Sequence, residues 1–77
     1  INMKKNKTYK TKNYKQFKLV LTNRDINVKL LKKLIDSIIL KGQLTPIIVN
    51  IKKEILDGQH RFFALKYLDK KISYLIN

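Results

Sequence analysis

"PIIVNIKKEILDGQHRFFAL", residues 46–65, decides the fold. Pro46-Ile47-Ile48-Val49-Asn50-Ile51 is almost wholly apolar and β-branched, which predicts a strand buried on both faces. Lys52-Lys53 read as a tight turn, and Glu54-Ile55-Leu56 as a second strand hairpin-paired with the first. Asp57-Gly58 break that strand. Helical spacing then begins at Gln59, with Ala64, Leu65 and Leu68 on one face.

Upstream, Val28, Leu31, Leu34, Ile35 and Ile38 fall on one helical face, with Lys29, Lys32, Lys33 and Asp36 mostly on the other. Asn27 is placed as the N-cap and Gly42 as the left-handed C-cap. Phe17, Leu19 and Leu21 alternate with Lys18 and Val20 and predict a first short strand. Residues 72–76, "ISYLI", predict a last one. The predicted order is β-α-β-β-α-β: a small α/β (α+β) domain with a mixed sheet and two helices, spanning 17–77. Residues 1–16 are predicted as a basic N-terminal arm.

Size and composition narrow the function classes. A chain of 77 residues supports one core. It has no cysteine, which rules out disulfides, thiolate metal sites and thiol chemistry in this chain. No apolar run approaches the ~20 residues that span a bilayer, and no signal-peptide pattern is present, so the expectation is a cytoplasmic protein with no membrane partner. Eighteen basic against five acidic residues give a formal charge of +13, a field that attracts polyanions. The abundance of Lys, Ile and Asn equally fits AT-rich coding, so charge alone does not choose the partner.

The basic residues divide by type. Only Arg24 and Arg61 are arginines, the side chain suited to gripping an anion with a planar fork. Lys4, Lys5, Lys7, Lys10, Lys12 and Lys15 crowd the arm, with Tyr9 and Tyr14 interleaved. That pattern suits a DNA-backbone contact with tyrosines available for stacking, and equally a solvated tail.

His60 and Arg61 raise a physical question. The first N–H groups of a helix lack intrahelical partners, and that end of the dipole is positive. Two more cations there cost roughly 0.3–1 kcal/mol unless an anion meets them. A phosphate can approach closely over a glycine, take the helix-terminal donors and be gripped by Arg61. Alternatively, Asp57 caps the helix and pairs with Arg61 or His60, and Gly58 serves only the turn.

The stretch from Leu31 to Leu65 resembles the ParB/sulfiredoxin-type domain, also called the ParB-like nuclease domain, and the resemblance covers residues 17–76. It rests on Asp36-Ser37-Ile38 at the end of a helix, Gly42, the "PIIV" strand, and the Gly58, Arg61, Ala64 box. "NRDIN" and "DGQHR" are most similar to the small proteins of phages and mobile elements, so the implied setting is a bacterial or phage-infected bacterial cell. The resemblance implies a nucleotide or phosphate site at Gly58, Gln59, His60 and Arg61. Ser37 matches a family hydroxyl position on the first helix and equally suits a small residue at a helix–sheet contact; Lys33 is a weaker neighbour; Arg24 sits where the family often has a loop arginine, unless Asp25 pairs with it and leaves it structural. CTP or ATP with Mg²⁺ are the implied cofactors and DNA the implied partner.

The family's activities separate only in part. Sulfiredoxin uses a cysteine where this chain has Gln59, so that reaction is excluded. A complete CTP-dependent DNA clamp needs further helices absent from these residues. Some relatives with a D-G-x-H-R box are phosphotransferases, which makes His60 and Asp57 candidate catalytic groups; the glutamate those enzymes use has no identified counterpart. Asp57, Asp25 and Asp36 supply no evident carboxylate pair for a two-metal nuclease. Three function classes stay open: nucleic-acid-associated binding, an NTPase, phosphotransferase or nuclease, and a non-catalytic interaction module.

Overall fold

The computed structural model describes residues 7–20 and 25–77. Strand β1 is Thr8–Thr11 and a single 3₁₀ turn follows at Tyr14–Gln16. Helix α1 is Val28–Lys41, strand β2 Ile47–Val49, and strand β3 Ile55–Asp57. Helix α2 is Gln59–Tyr67 and strand β4 Ile72–Ile76. The four strands form one mixed sheet in the order β1-β4-β2-β3. β4 pairs in parallel with β2 and antiparallel with β1, while β2 and β3 pair antiparallel across a bulge. The domain is therefore a small α+β unit with two helices and a four-stranded mixed sheet.

α1 begins and ends where its caps place it. The Asn27 side chain accepts the Leu30 N–H at 3.0 Å, and the Gly42 N–H reaches the Ile38 carbonyl at 2.8 Å with φ +75°. Ile38 is buried, and Leu31, Leu34 and Ile35 pack on the core beside it. Val28 is a correction to the predicted face: it lies 67% exposed in the first turn, so the apolar stripe extends beyond the contact.

β2 also differs at its end. Ile47 and Val49 are fully buried, but Ile51 lies in the hairpin turn and is exposed. Asn50 is the reason. Its side-chain oxygen accepts the N–H groups of Lys52 and Glu54, and its amide donates to the Glu54 carboxylate at 2.7 Å. A side chain that satisfies three turn groups pulls the chain out of the strand one residue before Ile51.

The first strand is the largest correction. Phe17 to Leu21 do not form a described strand: Lys18 alone bridges to Glu54, giving its N–H to Lys53 and accepting from Ile55. Leu21 lies outside the described residues. Phe17 instead acts as a core residue, edge-on to Phe62 at 5.6 Å and to Tyr74 at 5.1 Å between ring centroids. The sheet's edge comes from the segment predicted as an arm. Thr8, Tyr9 and Thr11 are good strand formers, and Tyr9 stacks on its cross-strand partner Tyr74 at 5.5 Å. Lys7 and Lys10 do not prevent this, because an edge strand tolerates outward lysines that discourage further pairing.

Candidate functional site

β3 delivers Asp57 directly to the start of α2, with Gly58 as the joint. Gly58 has φ +99°, and a β-carbon there would stand 2.8 Å from Ile47 Cγ2 and 3.1 Å from an Arg61 terminal nitrogen. Both backbone conformation and space therefore require glycine. The guanidinium of Arg61 folds back over this glycine. One terminal nitrogen lies 3.6 Å from an Asp57 carboxylate oxygen, while Arg61 Nε is buried with no hydrogen-bond partner among the described residues. That single long contact is weaker than a hydrogen bond and holds only part of the fork.

The helix start has no side-chain cap and no acidic residue in its first turn. Gln59 is buried at 8% exposure, so its side chain turns into the domain. His60 is engaged elsewhere: its Nε2 accepts the Asn27 backbone N–H at 2.9 Å. That contact puts the ring proton on Nδ1 and ties the start of α2 to the N-cap of α1. The two helices also pack against each other.

Both predicted catalytic groups, His60 and Asp57, are engaged in contacts within the chain. His60 in this arrangement offers no free lone pair to a substrate, because Nε2 accepts and Nδ1 carries the proton. Asp57 faces Arg61. Ser37 is half-buried on α1, and no described hydrogen bond links it to the turn. Arg24, Lys4 and Lys5 lie outside the described residues. Among the described residues, no group of three His, Asp or Glu side chains is placed to hold a metal ion.

The arm lysines take different roles. Lys7 lies over the Tyr9 ring at 5.6 Å, Lys12 pairs with Asp69 at 3.2 Å, and Lys15 is exposed on the 3₁₀ turn. Lys10 lines a cleft with Lys70 and Lys71, two lysines the sequence did not single out. Their proximity depends on β1 pairing with β4, which no local pattern announces.

Comparison with family models, curated proteins and solved structures gives no match for this chain. Among the described residues, no helix is long and apolar enough to cross a membrane.

Proposed function

We propose that this is a nucleic-acid-associated, ParB-like domain that takes a phosphate group, from a nucleotide or a phosphodiester, at the Gly58–Arg61 turn. The observation that carries the reading is the state of Arg61. Among the described residues, its guanidinium stands beside an uncapped helix start, held by one 3.6 Å contact to Asp57, with Nε buried and unpartnered. A phosphate at this point would meet the helix-terminal N–H groups and offer the fork a bidentate partner, turning the cost of adjacent positive charge into a gain. The charge of +13 supports a polyanionic partner, for which DNA is the natural candidate. CTP and ATP are the nucleotides to try. A Mg²⁺ ion would bind chiefly through their phosphates, with Asp57 the carboxylate that faces Arg61 at the turn.

A second reading has its own observation. The His60–Asn27 bond and the Asp57–Arg61 contact give both side chains a structural occupation, as expected of a non-catalytic interaction module. The same His60 bond supports a binding role over the enzyme reading. An NMR titration with CTP, ATP and inorganic phosphate separates the two. Amide shifts concentrated at residues 58–61 support the phosphate site. Shifts spread evenly over the lysine-rich surface, or none, favour the module.

A further inference from the structure

α2 ends in a turn with a specific geometry. The Lys70 N–H reaches back to the Leu65 carbonyl at 3.0 Å, the Asp69 N–H reaches Lys66 at 3.1 Å, and Asp69 has φ +57°. This is the Schellman arrangement with aspartate in the left-handed position usually held by glycine. It reverses the chain sharply and sends Lys70 and Lys71 into β4. Asp69 itself is drawn aside by Lys12, and the Lys70 carbonyl is anchored by the Tyr14 hydroxyl at 2.7 Å.

Across from Lys70 and Lys71 the strand ladder is completed by a side chain. Ser73 gives its N–H to Gln43 Oε1 at 2.7 Å, and its carbonyl accepts from Gln43 Nε2 at 2.8 Å. Gln43 thus stands in for backbone that β2 does not extend far enough to supply. Between these parts lies an open cleft of about 430 Å³, lined by Lys10, Lys70, Lys71, Gly42, Gln43 and Ser73, with Leu65 its one apolar side chain among the described residues. Three lysines from two segments far apart in the sequence line it. No acidic residue lines it, and none of the three is in an ion pair among the described residues.

We propose that this cleft seats the phosphate backbone of a nucleic acid, as a sequence-independent contact distinct from the Gly58–Arg61 turn. The polyanionic partner rests on the functional reading above; the place of contact rests on the cleft alone. Lysines act here as point charges, and among the described residues no arginine lines the cleft to read a base edge. The lysines of the turn at Lys52-Lys53 and of α1 contribute to the general field and are not gathered around a common cavity with these three.

The test is the salt dependence of binding to a mixed-sequence oligonucleotide, single-stranded and duplex, for three proteins. These are the unaltered chain, the triple variant Lys10→Gln/Lys70→Gln/Lys71→Gln, and the equal-charge control Lys29→Gln/Lys32→Gln/Lys52→Gln, at three exposed lysines away from both sites. The cleft variant should lower the slope of log K against log salt by about 0.9 per lysine on duplex and about 0.7 on single strands. The control should lower it by less than half as much. Equal losses in both variants overturn the cleft, as does absence of binding by the unaltered chain. Nucleotide titration of the cleft variant keeps the two sites apart: retained shifts at residues 58–61 with a reduced oligonucleotide slope establish the cleft whatever becomes of the turn. Loss of the nucleotide signal at the turn in the unaltered chain removes that site without touching the cleft.

Discussion

The Nε2 atom of His60 accepts a 2.9 Å hydrogen bond from the backbone N–H of Asn27, the residue whose side chain caps α1. One asparagine therefore serves both helices. Its carboxamide starts α1 and its N–H fixes the ring at the start of α2. The His60→Ala variant should lose about 0.5–1.5 kcal/mol in urea denaturation, the usual worth of such a bond. Phosphate binding should survive the change. Binding lost without a change in stability would make His60 a ligand and not a latch.

Gly58 should be the less replaceable of the two glycines. Gly58→Ala combines the cost of φ +99° with a β-carbon 2.8 Å from the fully buried Ile47, for a loss of roughly 2–5 kcal/mol. Gly42→Ala carries only the backbone cost, about 1–3 kcal/mol, because nothing stands within 4 Å of its new carbon. Thermal denaturation of the two variants side by side checks the order.

Phe17 and Leu19 should respond very differently to truncation. An alternating strand with one covered face would bury both. Here Phe17 is buried against Phe62 and Tyr74, while Leu19 is half exposed. Phe17→Ala should cost about 3–5 kcal/mol, and Leu19→Ala within about 0.5 kcal/mol. Similar losses at both positions would restore the strand that the alternation predicts.

This pair also marks where the sequence could be read and where it could not. α1 was legible because the 3.6-residue spacing and both caps agree, and β4 because a largely apolar run follows the charged Asp69-Lys70-Lys71. The place of Phe17 was not, since a lone aromatic on a short alternating run looks the same whether it pairs a strand or plugs a gap. β1 was hidden by its lysines, which suggest solvent and yet suit an edge strand. At the candidate site, Gly58 and Arg61 were visible as a turn leading into a helix start. The Asn27 bond to His60 was not, because a contact 33 residues apart leaves no trace in local spacing.

Tyr14 should make stability fall on the alkaline side. Its hydroxyl is held above the ordinary value of 10.0, first by burial and then by the nearby Asp69 carboxylate. Below pH 10 folded and unfolded chains both keep the proton, and the contribution is complete. Above it the unfolded chain releases its proton first, so stability declines until the folded hydroxyl also ionises. In Tyr14→Phe that component of the decline should vanish, which melting curves taken across pH 10 will detect. An unchanged pH profile in the variant would remove Tyr14 from the account.

The central claim is that Arg61 and the start of α2 hold a phosphate. Thermal stability of the unaltered chain and of Arg61→Gln, measured with CTP, ATP and inorganic phosphate, with and without Mg²⁺, tests it most directly. The account predicts that at least one of these ligands stabilises the unaltered chain, by about 2.7 kcal/mol at a hundredfold excess over its Kd, and leaves Arg61→Gln unshifted. Equal shifts in both proteins, or no shift in either, would contradict it.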